Sequence, residues 1–289
     1  MELVHQIIDR IGFPILGLWF MLLFLLETKY QLRRRVQSRL ARLFTNALVG
    51  ICSYAFLRLA FLPAVVWLAY RNQQEWHFGL NHWYKGPAAL TFIAAFLLLD
   101  YFNYVWHILL HKMPLLWRFH HVHHSDLDLD VTTALRFHFV ELIASIVFRG
   151  TTILLTGASP LVVLVYEIVF EAATNFHHSN WKLPYAVEKR LNWILVTPRM
   201  HGIHHSIVQR ETDSNYAVIF SFWDRLHRTL RLHVFQDEII IGVPSHRDAN
   251  ELTAWYLLKM PFTKMRPWRL PDGSEPQRDE RPYSKELQN

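Results

Sequence analysis

The chain has 289 residues, of which 52% are hydrophobic, 15% aromatic and 19% charged, with a formal net charge of +6. Soluble domains carry roughly 25% charged residues, and the mean hydropathy of +0.09 is too high for a disordered tail protein and too low for a bare membrane bundle, so a membrane anchor joined to a polar functional part is expected. The single cysteine, Cys52, excludes a disulfide scaffold, a cysteine-ligated zinc ribbon and a cysteine-held iron–sulfur cluster.

Taken in chain order, the apolar runs predict an all-α polytopic membrane protein of about four embedded helical elements. A spanning helix needs about 20 apolar residues. Residues 11–26 are uncharged between Arg10 and Lys29, and Val4, Ile7 and Ile8 can extend them. Residues 1–30 lack a basic leader and a small-residue cleavage site, so an uncleaved helix is expected rather than a signal peptide. Residues 44–70 are interrupted by Arg58 and Pro63, which predicts a span to about Leu62 and then a bent interfacial stretch, with Arg58 reaching a headgroup or polar neighbour. Residues 87–110 form the third span. Residues 142–156 and 161–170, split by Gly157-Ala158-Ser159-Pro160, read as a re-entrant hairpin.

Between the first two runs stand Lys29, Arg33, Arg34, Arg35, Arg39 and Arg42 with no acid among them, whereas the 71–86 loop carries Arg71 and Lys85 against Glu75. The positive-inside rule places the basic loop, and with it everything after the third span, in the cytoplasm. Its position between two apolar runs makes a nucleic-acid patch the poorer reading. Three segments are expected: an anchor over 1–86, a catalytic part over 87–235, and an extension over 236–289 whose Pro, Arg, Asp and Ser content predicts a flexible tail from about 261.

Histidine is the outlier. Of 18, twelve lie between His107 and His205. His107 and His111 are four apart and share one helical face at the end of the third span. Asp100, seven residues earlier on that face, is a candidate to orient a ligand ring. His120, His123 and His124 form H-x-x-H-H, and His201, His204 and His205 repeat it; His138, His177 and His178 lie between. Clustered imidazoles repel when protonated and need many partners when buried, so packing is a poor rival to metal binding. Eight nitrogens from these boxes, with His177 and His138 as possible additions, suit two metals rather than one. Imidazole ligation is compatible with Zn, Fe, Cu or Ni, and the paired Glu-x-x-His motifs of soluble di-iron bundles are missing from this region.

These residues resemble the fatty acid hydroxylase/sterol desaturase superfamily of membrane-bound di-iron enzymes, over roughly residues 87–232. The likeness is carried by the three histidine boxes in order, by Thr133-Ala134-Leu135-Arg136, Asn175-Phe176-His177-His178-Ser179-Asn180 and Thr197-Pro198-Arg199-Met200-His201, and by Asn215-Tyr216 through Trp223-Asp224-Arg225-Leu226. It is similar to bacterial members and to the alkylglycerol monooxygenase branch. The resemblance implies two irons in an all-histidine cage, dioxygen as co-substrate, and hydroxylation or desaturation of a C–H bond in a lipid or sterol-like substrate. It implies ligation by His107, His111, His120, His123, His124, His201, His204 and His205, with His177 a ninth and His138 a tenth ligand, and His121 and His178 outside the cage. Some relatives have a further histidine where this chain has Ala173. The chemistry needs two external electrons per turnover, and this chain has no dinucleotide fingerprint and no plausible thiolate-haem cysteine, so a separate reductase with a ferredoxin or small cytochrome is implied. The location would be a bacterial inner membrane, or the endoplasmic reticulum in a eukaryote, with the cage facing the cytoplasm.

Two other classes compete: a zinc-loaded, non-redox membrane protein and a histidine-rich metal transporter, though transporters place ligands near the bilayer midplane. Trp106, Trp117, Phe119, Phe137 and Trp193 are candidate walls of a lipid path. Asp126, Asp128 and Asp130 imitate a calcium loop but lack its glycine, and read as a solvated loop. Glu167 and Glu171 read as a surface pair or as outer groups of the cage; Cys52 as a buried small residue; His227, His233 and His246 as unrelated to the cage.

Overall fold

The computed structural model describes residues 8–84 and 86–278, which are helical with three isolated bridges and no extended strand among them. Helix α1 (Phe13–Lys29) runs towards the basic segment. Helix α2 (Arg39–Phe56) leads away from it and passes through a π-helical turn, Leu57–Phe61, into α3 (Leu62–Arg71). The expected break at Pro63 is not made. Proline removes one helical N–H and crowds the preceding turn; the wide turn absorbs both, with Leu62 N–H reaching back to Leu57 O, and the helical path continues to Trp76. Helix α4 (Ala88–Lys112) returns and delivers His107 and His111. Helix α5 (Pro114–His124) follows after a one-residue corner at Met113.

The α6 (Phe139–Thr156) and α7 (Pro160–His178) hairpin leaves from the histidine end and comes back to it. The two arms have 18 and 19 residues, roughly 28 Å each, so both are longer than the short re-entrant halves read from hydropathy. Four helical stretches, Arg10–Lys29, Arg39–Trp83, Ala88–Lys112 and Phe139–Thr156, are long and apolar enough to cross a membrane. Their outward side chains agree: Leu18, Leu59, Leu90 and Val147 are 54–77% exposed, a burden tolerable only against lipid. Cys52 is on this outer surface rather than buried. Inside, Phe61, Val65, Leu99, Ile153 and Val163 form the core shared by α3, α4, α6 and α7. This is an integral membrane architecture.

At the end remote from the histidines, the hairpin tip meets the turn after α3. Gly79 (φ 101°) and Gly157 (φ 66°) lie against each other there, and a Cβ on Gly79 would stand 2.2 Å from Leu154 O and 2.5 Å from Gly157 N. Gly79→Ala is therefore expected to cost about 1–3 kcal/mol through backbone strain and contact, read as a lowered thermal midpoint in detergent; an unchanged midpoint would show that the tip yields freely.

The basic segment does more than mark orientation. Leu32 N–H bonds Asn180 O (2.8 Å) and Lys182 N–H bonds Tyr30 O (2.7 Å), while buried Glu27 accepts the N–H groups of Val131 (3.0 Å) and Asn180 (2.8 Å) and pairs with Arg39 (2.7 Å). The extension is also held through 278. Leu257 and Met260 pack on Val49 and Val122, Trp268 Nε1–H donates to Ile207 O (2.9 Å), and Arg278 pairs with Glu211 (2.7 Å). Composition had suggested a flexible tail from about 261; the rest of it, 279–289, lies outside the described residues.

Candidate metal centre

Two groups of imidazoles meet where α4, α5, α7 and α8 (Pro198–His204) converge. One brings together His107, His111, His120, His124 and His204; the other His123, His178, His201 and His205, with the ligand nitrogens of each group within 4.8 Å of one another. Helical rotation explains the division. Residues i and i+4 are about 40° apart around the axis and i+3 lies about 60° to the other side. So each H-x-x-H-H box sends its i,i+4 pair to one group and its i+3 histidine to the other: His120 and His124 against His123, His201 and His205 against His204. Each box thus ties the two groups together, and the stacked rings of His124 and His205 (4.3 Å) hold them adjacent.

The donor set fits metal ions. His111 Nε2, His120 Nε2, His124 Nε2 and His204 Nε2 are buried without hydrogen-bond partners among the described residues, an arrangement costly for a protein without a ligand there. In the second group, the Nε2 atoms of His123 and His178 are 2.9 Å apart, those of His178 and His201 3.0 Å, and those of His201 and His205 3.1 Å. Nitrogens at about 2.1 Å from one ion and at right angles stand roughly 3.0 Å apart. Burial, reinforced by neighbouring imidazoles, pushes His204 down to about 3 and holds His123, His124, His201 and His205 well below 6.5, so the rings are neutral and free to ligate.

Ring orientation comes from backbone that no histidine motif foretells. His204 Nδ1 bonds Ser214 O (2.7 Å), His107 Nδ1 bonds Tyr216 O (2.7 Å) and His177 Nδ1 bonds Val218 O (3.1 Å). A carbonyl can only accept, so each Nδ1 carries the proton and each Nε2 is left with its lone pair. The carbonyls come from alternate residues of one segment, which Asp224 holds by accepting Tyr216 and Ala217 N–H (2.9 Å each). Asp100 also acts on this segment: it accepts Trp223 Nε1–H (2.8 Å) and Phe220 N–H (3.3 Å), rather than orienting His107 as its spacing had suggested. Glu141 Oε1 lies 3.1 Å from His120 Nδ1. Glu141→Gln is expected to weaken metal retention about 10–100-fold, measured by dialysis against a chelator; unaltered retention would leave Glu141 without that role.

His138 stands apart from both groups. Its Nδ1 accepts Val140 N–H (3.2 Å) as the N-cap of α6 and its Nε2 bonds Leu258 O (3.2 Å), so both nitrogens are committed and the tenth-ligand expectation is corrected. His178, expected outside the cage, is inside the second group. His177 lies against His201, with ring centroids 4.1 Å apart, beside that group. His121 is buried against His246 and Trp117. The Asp126–Asp128–Asp130 loop is likewise buried rather than solvated: Arg42 binds Asp126 through Nε (2.9 Å) and Nη2 (2.7 Å) and Asp130 through Nη1 (2.5 Å). Arg136 ties the same loop to Val122 O (3.1 Å), one residue before His123.

A cavity with an empty volume of about 970 Å³, counting its open mouth, reaches from these histidines between α2, α4, α6 and α7. Trp106 and Phe137 line it as expected; Trp117 and Phe119 pack elsewhere, on His111 and His138, and Trp193 is 66% exposed. Tyr54, 37% exposed, is the outermost described lining side chain. Glu167 and Glu171 face this cavity and not the surface.

Residues 92–229 match the family described as Fatty acid hydroxylase. Among curated proteins, the chain is 27% identical to cholesterol 25-hydroxylase of Rattus norvegicus over 187 residues, covering 60% of this chain and 61% of the relative. It is 34% identical over 153 residues to ornithine lipid hydroxylase OlsE of Rhizobium tropici, covering 52% and 44%, and 30% identical over 187 residues to alkylglycerol monooxygenase of Danio rerio, covering 63% and 40%. The match therefore spans 40–61% of the length of these relatives. No solved structure matches the chain significantly.

Proposed function

We propose, from the match of residues 92–229 to the Fatty acid hydroxylase family, that the chain is a membrane-bound di-iron oxygenase that hydroxylates a lipid, sterol-like molecules included. The balance is R–H, O2, two electrons and two protons giving R–OH and water. The observation that carries the reading is the pair of adjacent imidazole groups opening on a largely apolar cavity. In this reading one iron is held by His107, His111, His120, His124 and His204, and the other by His123, His178, His201 and His205, with His177 beside it. When bound, the irons supply the dioxygen activation and hydrogen abstraction that no acid–base side chain can perform on an unactivated C–H bond.

The rest is the work of the protein. The carbonyls of Ser214, Tyr216 and Val218 keep the Nδ1 protons in place, and Glu141 does so for His120. Phe137 lies flat on His123 (4.3 Å) and, with Trp106, keeps bulk water from the reacting carbon. A lipid enters from the bilayer beside Tyr54. The relatives' names favour hydroxylation over desaturation. Electrons come from a separate reductase through a ferredoxin or small cytochrome at the cytoplasmic face, the face to which the basic segment assigns the histidine end.

Metal analysis of the protein purified in mild detergent, with Mössbauer spectroscopy on iron-57-grown cells, tests this. Two coupled irons per chain are expected. Zinc alone, with no iron taken up in anaerobic reconstitution, would overturn it in favour of a non-redox protein.

A further inference from the structure

A second set of polar groups opens on the same cavity away from the histidines. Arg149 on α6 donates from Nη1 to both carboxylate oxygens of Glu167 on α7 (2.6 Å each) and from Nη2 to Asn103 Oδ1 (3.2 Å). One turn nearer the histidines, Glu171 accepts the Tyr54 hydroxyl at 3.5 Å, the outer limit of a hydrogen bond, and has no ion pair among the described residues. The one guanidinium on this wall is already committed to Glu167, so Glu171 is an acceptor in excess. Three residues further along α7, Thr174 also lines the cavity; it is 3% exposed, and its Oγ1 is buried without a partner among the described residues. The remaining wall here is Leu57, Phe61 and Phe170. An acceptor and an unpartnered hydroxyl in apolar surroundings are costly unless a ligand completes them.

We propose that Glu171, flanked by Tyr54 and Thr174, anchors a hydrogen-bond-donating group of the lipid, a hydroxyl or an ammonium, and so determines which carbon reaches the histidines. The proposal rests on the cavity being the substrate chamber. Glu171 and His178 lie on one helix, roughly 10 Å apart along its axis. The oxidised carbon is then on the order of eight bonds from the anchored group in an extended chain. Arg149 and Glu167 pair directly and act as positioning residues, with the guanidinium's hydrogen bonds committed to Glu167 and Asn103.

The test is equilibrium binding of tritiated 1-hexadecanol, hexadecylamine and hexadecane to the full chain in mild detergent. The alcohol or the amine is expected to bind at least about tenfold more tightly than the alkane, and Glu171→Leu to erase that preference. Glu171→Gln separates the two donors: it keeps the alcohol preference if a hydroxyl is the natural group and loses an amine preference if an ammonium is. Should Glu171→Leu fail to fold, the Tyr54→Phe/Thr174→Val pair replaces it, with an expected loss of about threefold or more in the preference. Equal binding of all three probes, or an undiminished preference in the folded variants, overturns the anchor. The binding needs neither iron nor O2, so an iron-loaded oxygenase without the preference sinks the anchor alone, and a preference in a protein that takes up no iron sinks the oxygenase reading alone.

Discussion

His204→Ala is expected to abolish lipid oxidation, by at least about 100-fold, while the protein stays inserted in the membrane. His204 Nε2 is one of five nitrogens in the first group, and its Nδ1 is fastened to Ser214 O. In the proposed cage the variant removes a ligand and frees the carbonyl that orients it. His138→Ala is the matched control. It removes an N-cap from α6, at a cost of about 1 kcal/mol, and leaves both imidazole groups intact. Iron per chain and oxidised lipid, measured by mass spectrometry on both variants in parallel, check the pair. A fully active His204→Ala would overturn the cage; a His138→Ala that loses iron but keeps its melting temperature would return His138 to it.

Arg42→Met is expected to destabilise the folded protein by about 3–5 kcal/mol, seen as a fall in thermal midpoint of roughly 10 °C. Arg42 is 3% exposed and serves Asp126, Asp130, the Asp128 carbonyl and Thr133 Oγ1. Methionine matches much of its length but removes the cation in direct contact with those carboxylates, leaving Arg136 (3.7 Å from Asp126) and Arg35 (3.9 Å from Asp130) as partial compensation, and under-compensated buried charge is the large term. Arg42→Lys is expected to recover only part of the loss, since an ammonium cannot make the paired contacts to Asp126. Adding Asp126→Asn to Arg42→Met is expected to cost less than the two single changes summed. A midpoint within about 2 °C of the native one would show that the loop is not held by this arginine. Because the loop follows His123 and His124 directly, loss of iron should accompany the loss of stability.

The two sets of residues differ in how they could be known from sequence. The helices were legible because a bilayer demands apolar length, and a helix meets that demand with its own hydrogen bonds; hence runs 11–26 and 87–110 foretell α1 and α4. The histidine boxes were legible because i,i+4 and i,i+3 spacing is a local property of a helix, which places His107 with His111 and His120 with His124 whatever surrounds them. Local spacing also misled. Asp100 shares a face with His107, yet its carboxylate is taken by Trp223, a partner over a hundred residues away. Asp126, Asp128 and Asp130 look solvated in isolation because charge is normally exposed, and their burial is made tolerable by groups from elsewhere in the chain: Arg42 on Asp126 and Asp130, Arg136 on Asp126, and the Val36 and Gln37 N–H groups on Asp128. His138 and His178 exchanged expected places because a histidine's role depends on which groups meet its two nitrogens, and those come from Val140 and Leu258 in one case and from His123 and His201 in the other.

The sequence by itself therefore determined the class of molecule, the apolar helices and the eight histidines of the three boxes, since each depends on periodicity within one element. Tertiary structure alone decided how those histidines divide into two groups, which carbonyls set their tautomers, and what lines the cavity. These features are made by atoms brought together from segments far apart in the chain, and nothing in the spacing of either partner specifies the contact.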